Sequence, residues 1–553
     1  MIAQATERRL AGDWQGACAA SNVDVDFGLT AVAEQHGAKT ATRLDEDLRH
    51  FAPDLLRWHL PRCVYGRTTL LPGRCVILAS YGARPAEGPY LCATTLDMVD
   101  GPQRLTLRFG EIGEQYPRQY GKLQDWRLAR HLWDSRHSAE LLARCGGGNR
   151  APFFSADGTP RAAAELPAHE PGADDPVGRS EWATLLFERG DTRQAFEATG
   201  ITLDDSPSND RYPQRLRDAL ASQALALTRL EPEIRLLDAA GFGSRFQVPY
   251  GVGAIVFELR PHRKFGKGLI HIGPAYGGLC VRMGTRDDAR SVPSLPEPCC
   301  RRLPDLDLLR FGDITPGELH PLVSASLFPA RTPQPTDGPP GPQPPSAVPV
   351  RCRGEWHKVR SWDGRLRIPH TAEEERRERA MRAFGGPVTG CFAAAQAWTS
   401  GTGWLPKALR QQRQEFFSLV QHGDTAGVLR LLDAGVDPHI RDGRQRTLLH
   451  VLHLLDHEVM LPRLLDAGVD VEARDHHGRT PLHVAVGEGP VALVRALLKA
   501  GARTDAVDDQ DDSLSSLILR HRRKELSFLY TAMVRDHPNL TIRYPPPWED
   551  VDD

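Results

Sequence analysis

Cys391 stands in "GPVTGCFAAAQAW", where a Gly-Cys pair opens an apolar helical run. A thiol at a helix N-terminus loses its proton more readily and serves as a nucleophile when a histidine and an asparagine or aspartate support it. No such paired signature accompanies Cys391, and the competing reading is a small core residue beneath the segment that follows. The run "RPHRKFGKG" offers a second chemistry. Arg260, His262, Arg263, Lys264 and Lys267 around Phe265 could hold a phosphate backbone while the ring stacks on a base, against the plain alternative of a solvated β-turn. In "WRLARHLWDSRH", His131 and Asp134 fall three apart, which makes either a site face or the polar side of a packed aromatic helix. The ten cysteines include no C-x-x-C pair. Reduced, inert thiols are expected, the adjacent Cys299 and Cys300 included, with no metal site and no cofactor. The paired glycines of "GFGSRFQVPYGVGAIVF" lack the third glycine and the strand-to-helix context of a dinucleotide site.

These residues need elements to hold them. Residues 7–60 read as helical: Leu44, Leu48, Phe51, Leu55 and Leu56 recur at helical spacing, with Pro53 marking a break or restart. Three short β-branched and aliphatic runs follow, "CVILASYG", "YLCATT" and "QRLTLRFG", and predict an antiparallel meander. "DWRLARHLWDSRHSAELLARCGGG" predicts a further helix ended by Gly146 to Gly148. One α+β domain over residues 1–158 accounts for these patterns. Residues 159–180, poor in large apolar side chains, read as a linker. A second α+β unit is expected over 181–328, with "GAIVFELRPHRKFGKGLIHIG" as two strands joined by the basic tip. Residues 329–349 contain nine prolines in 21 positions and predict an extended spacer. Over 350–410, Asp363-Gly364 between strand-like runs predicts a hairpin, and Thr371 with Glu374 has the spacing of a capping box for a helix that Gly385-Gly386 close.

At 553 residues the chain exceeds what one core can serve, so several domains are required. A formal charge of -2 removes the broad electrostatic pull of nucleic-acid and anionic-membrane binders. Sixty-one arginines against eight lysines reflect a GC-rich coding sequence. No apolar run approaches the length of a membrane span, and the first residues carry no apolar targeting segment, so a cytoplasmic protein is expected.

Comparing the last 140 residues with themselves at an offset of 33 gives an internal match. "TLLHVL" at 447–452 precedes "TPLHVA" at 480–485 by that interval, and "LLDAGVD" at 431 and 464 continues as "LLKAGAR" at 497. Asp442, Asp475 and Asp508 share the register. "DHHGRTPLHVAVGEGPVALVRALLKAGA" resembles the ankyrin repeat, with its D-x-x-G-x-T-P-L-H opening and L-L-x-x-G-A close. About four repeats over 411–534 would form an all-α solenoid behind the α+β units, with an acidic, Pro-rich tail at 535–553. The chain as a whole resembles ankyrin-repeat proteins of high-GC bacteria. Thr480 suits a helix cap, Pro481 the first helical turn, and Gly501 the end of the second helix. The resemblance gives Thr447, His450, Thr480, Pro481, Leu482 and His483 a structural duty. Leu431, Leu432, Leu464, Leu465, Leu497 and Leu498 are buried only by stacking, at roughly 1.5 to 3 kcal/mol for each fully buried leucine. Ser513 and Ser516 replace Thr and His in the last repeat, Gln445 replaces the turn glycine of the second, and Pro462 should kink or restart its second helix.

Ankyrin arrays bind proteins through their hairpin tips and concave face. The expected contact residues are His439, Arg441, Arg444, Arg446, Arg474, His476, His477 and Arg479, basic tips that would hold an acidic partner at one end while the acidic tip of Asp505, Asp508, Asp509, Asp511 and Asp512 repels it at the other, against the plain alternative of merely solvated tips. The resulting expectation is a non-catalytic scaffold holding a protein partner. The alternatives are a nucleic-acid-associated regulator using residues 260–267 and an enzyme with its active site in the N-terminal half.

Overall fold

The computed structural model describes residues 1–62, 69–82, 88–95, 103–112, 122–204, 214–250, 253–261, 276–334, 338, 341, 345–385 and 389–540. They form two compact units, residues 1–99 with 104–340, and residues 341–553 with 100–103.

The first unit is α+β. Strands β1 (Val23–Val25), β2 (Arg74–Ser80), β3 (Tyr90–Thr95), β4 (Leu105–Gly110) and β5 (Lys122–Asp125) make one sheet in the order β1-β4-β3-β2-β5. β2, β3 and β4 are the expected antiparallel meander, with Cys75 opposite Thr94 and Leu91 opposite Phe109. β1 and β5 add parallel edges. β1 interrupts the stretch expected as all helix, and at three residues it is too short to show a period of its own. Leu44, Leu48, Phe51, Leu55 and Leu56 are buried as their spacing predicts. Pro53 restarts the chain as the first residue of the helix Pro53–His59, where its missing N–H costs nothing.

The helix expected after β5 is replaced by two 3-10 turns, Arg130–Leu132 and Ser138–Glu140, and one α-turn, Leu141–Arg144. Asp134 explains the change: its carboxylate accepts the Arg136 backbone N–H and the guanidinium groups of Arg130 and Arg136, local bonds that displace the helical ladder.

A second sheet, β6 (Thr202–Asp204), β7 (Arg245–Tyr250), β8 (Gly253–Pro261) and β9 (Tyr276–Gly284), has the order β6-β9-β8-β7. β8 is the first of the two strands expected there; it pairs Phe257 with Val281 of β9, which begins at Tyr276, after the expected second run, and that run lies outside the described residues. The stretch assigned as linker is already helical at its end, because Asp175 caps Pro176–Glu188 by accepting the Gly178 N–H at 2.8 Å. Leu306, Leu309, Val323 and Leu327, from the last helices of the expected second unit, lie in the core of the first sheet.

The second unit opens with an antiparallel meander, β10 (Val348–Cys352), β11 (Glu355–Trp362) and β12 (Arg365–Arg367). Asp363-Gly364 makes the predicted tight turn, with φ of 52° and 66°, and Arg353-Gly354 makes a second with 52° and 94°. Val350, Cys352, Val359 and Leu366 face inward onto Ala394, Ala397 and Trp398 of the helix Gly390–Ser400. The capping box before Ala372–Ala383 forms as expected, Thr371 and Glu374 exchanging bonds of 2.8 and 3.2 Å.

Helical hairpins follow: Lys407–Gln421 with Thr425–Asp433, Pro481–Glu488 with Val491–Lys499, and Leu514–Arg520 with Ser527–Asp536. The second hairpin departs from its neighbours. Its first helix is reduced to the 3-10 turn Leu452–Leu454, whereas His457–Asp466 runs unbroken through Pro462. The proline is exposed, so the Glu458 carbonyl that loses its donor faces the solvent side of the helix. Among the described residues no helix is long and apolar enough to cross a membrane.

Candidate partner-binding surface

Two consecutive repeats are each held by one threonine and one histidine. The backbone N–H and hydroxyl of Thr447 meet His450 Nδ1 at 3.1 and 2.9 Å, and those of Thr480 meet His483 Nδ1 at 3.3 and 2.8 Å. With Nδ1 accepting, the His450 proton sits on Nε2, which donates across to the Arg479 carbonyl at 3.0 Å. Burial lowers the His450 pKa to about 4 and lowers that of His483 as well. Pro481 begins its helix, and Leu482 is fully buried beside it.

The tips are built from the same parts at each turn. Asp442 Oδ1 accepts the N–H of Arg444 and Arg446 at 2.8 and 2.9 Å, and Asp475 Oδ1 those of His477 and Arg479 at 2.9 and 3.0 Å. Asp508 does the same for Gln510 and Asp512, both at 2.9 Å. Arg441 bridges to the Arg474 carbonyl at 2.7 Å, and Arg474, 33 residues on, bridges to the Val507 carbonyl at 2.8 Å. Gln445, Gly478 and Asp511 take positive φ of 60°, 72° and 60° at the same point of each tip. The turn conformation survives where its glycine does not.

This stitching runs through the region where a family model for ankyrin repeats (3 copies) matches residues 416–508. Residues 416–508 are ankyrin repeats. A comparison with curated proteins finds no match. The last hairpin, with Ser513 capping through Ser516 at 3.3 Å in place of Thr and His, falls beyond the matched residues of the ankyrin array.

The ankyrin tips use much of their charge internally. Arg446 and Arg479 pair with Asp442 and Asp475 at 2.7 and 2.8 Å, and Asp505 and Asp512 pair with Arg503 and Arg520 at 2.7 and 2.6 Å. His439 bonds Asp437 and the Gly468 carbonyl. The exposed members of the expected row are His439, Arg444, Arg474, His476 and His477, the last two with ring centroids 3.7 Å apart and planes tilted by 43°.

A second surface adjoins these tips. The outer face of the β10–β12 meander carries Arg351, Trp356, Lys358, Arg360, Trp362, Arg365 and Arg367, all exposed. Trp356 and Trp362 are 69% and 55% exposed. Arg360 lies over the Trp362 ring at 4.7 Å, and Arg367 pairs with Asp363. Among the described residues Arg351, Lys358 and Arg365 have no acidic partner. The Asp363-Gly364 turn rests on the array: a Cβ on Gly435 would lie 2.7 Å from the Asp363 nitrogen, and one on Gly364 would lie 3.8 Å from Pro438. The signal for this face is the alternation in "EWHKVRSW", which sets Trp, Lys, Arg and Trp on one side of a strand.

The remaining candidates fall elsewhere. Cys391 is buried near the start of its helix, and burial with the neighbouring Cys352 thiol pushes it up to about 12, opposite to the lowering a helix N-terminus would give. Cys352, His357, His370 and Cys391 converge so that their ligand atoms lie within 4.8 Å of one another, although their spacing in the chain resembles no metal motif. Cys299 and Cys300 are buried, free thiols, raised by desolvation. Arg260 pairs with Asp204 at 3.0 Å, while His262, Arg263, Lys264, Phe265 and Lys267 lie outside the described residues. His131 is buried and held neutral by desolvation, and Asp134 is occupied by its two arginines, so no paired site forms. His320 and Asp54 meet at 3.0 Å with side chains 0% and 1% exposed, closed to any substrate as they stand.

Proposed function

We propose that this protein is a non-catalytic adaptor, and that its ankyrin array together with the adjoining β10–β12 face holds an acidic segment of a protein partner. The observation that carries this reading is the exposed meander face, two tryptophans set among five cations and continuous with the array's first tip. Exposed aromatic area supplies contact energy at small entropic cost, and unpaired cations select a negative partner. Arg444, His476 and His477 extend the same surface along the tips. Ankyrin repeats serve as protein-binding modules, which favours a protein over a nucleic acid on this face.

The test places a photo-crosslinking residue at position 356 or at position 444 of the full chain. Adducts at both positions with one protein, mapped to an acidic stretch, are expected. In the triple variant Arg351→Glu, Arg360→Glu, Arg365→Glu the adducts should disappear. Nucleic acid in the adducts, or a protein adduct that survives the charge reversal, would overturn the reading.

A further inference from the structure

The cluster of Cys352, His357, His370 and Cys391 has the composition and shape of a closed metal site, and we infer that these four residues bind one zinc ion that locks the meander to the helix Gly390–Ser400. Cys352 ends β10, His357 lies on β11, His370 follows β12, and Cys391 is the second residue of the helix. The chain therefore brings its ligands from four separate places.

Three of the six ligand-to-ligand distances match the edges of a tetrahedron, and all six lie within 4.8 Å. Zinc takes nitrogen at about 2.0 to 2.1 Å and sulfur at about 2.3 Å, so the edges of the tetrahedron measure about 3.3 Å between nitrogens and about 3.6 Å between nitrogen and sulfur. His357 Nδ1 and His370 Nε2 are 3.2 Å apart, Cys352 Sγ and His370 Nε2 3.6 Å, and Cys391 Sγ and His357 Nδ1 3.5 Å. The outward nitrogen of each imidazole faces a carboxylate at 3.7 Å, His357 Nε2 toward Glu355 and His370 Nδ1 toward Glu374. A carboxylate at hydrogen-bond distance from this nitrogen fixes the tautomer of many metal-bound histidines; at 3.7 Å the two here lie nearby without hydrogen-bonding.

Two cysteines and two histidines form a soft and borderline ligand set that suits zinc, and four protein ligands leave no open position for a substrate. The site is structural. Binding releases the two thiol protons to solvent, leaving thiolates that neutralise the dication. Gly390 marks the closeness of the parts: a Cβ there would lie 2.6 Å from Cys352 Sγ. The buried residues of the three short strands and their helix are few and continue into the core of the repeats, so a metal there would add local folding energy and fix the helix position.

The experiment uses the full chain, expressed in zinc-replete medium and purified under reducing conditions without chelator. One equivalent of zinc per chain is expected by elemental mass spectrometry. Exchange with cobalt(II) should give the visible bands of a tetrahedral site together with a thiolate-to-cobalt charge-transfer band. The double variant Cys352→Ser, Cys391→Ser should lose the metal, while Cys280→Ser keeps it. Should the double variant fail to fold, differential alkylation of the unaltered chain decides: zinc must protect Cys352 and Cys391, and chelation must expose them while lowering the melting temperature. A metal-free protein that takes up no cobalt, zinc content unchanged in a folded double variant, or a Cys352–Cys391 disulfide in the reduced preparation would each overturn the assignment.

Discussion

The proton on His450 is assigned by its neighbours. Nδ1 accepts from Thr447 and Nε2 donates to the Arg479 carbonyl, so a second proton has no place to go without breaking the bonds between Thr447 and His450 that hold their repeat's turn. Burial acts in the same direction, and the pKa falls from 6.5 to about 4. The sign of the pH dependence follows. Between these values the unfolded chain binds a proton that the folded chain refuses, so stability is fully present above pH 6.5 and is lost as pH falls toward 4. The slope from this one group is about 1.4 kcal/mol per pH unit. Urea denaturation followed through the array should show that slope, and His450→Gln should flatten it while lowering stability at pH 7 by about 1 to 3 kcal/mol, the cost of disrupted buried bonds. A variant whose stability falls with acid as steeply as the parent's would contradict this account. Gln445 shows the same economy of means at the backbone: it holds a φ of 60° that its counterpart Gly478 adopts without strain, because Asp442 and Arg441 fix the tip around it.

At the scale of elements, the second repeat is where local sequence and array geometry disagree. Its first helix is shortened to a 3-10 turn, yet Leu448, Leu449 and Leu452 remain buried, so burial is kept while regular hydrogen bonding is given up. Its second helix continues through Pro462 because Met460, Leu461 and Leu464 are buried on the side away from the ring. An interior proline costs about 3 kcal/mol relative to alanine in a helix, offset by up to about 1 kcal/mol of unfolded-chain entropy. Pro462→Ala should therefore stabilise the array by about 2 to 3 kcal/mol, read as a higher urea midpoint at unchanged slope. Destabilisation instead would mean that the ring packs. The same contest explains what could be read from the sequence alone. The repeats were legible because their leucines, caps and turns recur at a fixed interval, and the β2 to β4 meander because its runs alternate between clear turn residues. β1 and β5 were not, being short edges whose place depends on partners distant in the chain. The helix expected around His131 failed because Asp134 takes the local bonds. The Cys352, His357, His370 and Cys391 cluster was hidden because only the hairpin register and the helix position bring these residues together.

For the whole molecule, net charge is a poor guide to what its surface attracts. The formal value is -2, yet residues 348–367 carry six arginines and lysines against two carboxylates. The ankyrin tips partly neutralise themselves through pairs such as Arg446–Asp442 and Arg479–Asp475, so much of their charge is spent holding shape. The meander face keeps its field outward, since Arg351, Lys358 and Arg365 have no acidic partner among the described residues. Field and contact should then separate experimentally. With the partner identified by crosslinking, its association rate with the full chain should fall by about tenfold between roughly 0.05 and 0.5 M salt, where the screening length shrinks from about 14 to about 4 Å. Its dissociation rate should change far less. The triple reversal of Arg351, Arg360 and Arg365 should abolish or invert that salt dependence by slowing association, whereas Trp356→Ala with Trp362→Ala should leave the salt slope intact and speed dissociation, because aromatic area acts after encounter. If both variants altered the same rate constant, or if the salt slope survived the reversal, the cations and tryptophans of β10 to β12 would not be the surface that meets the partner.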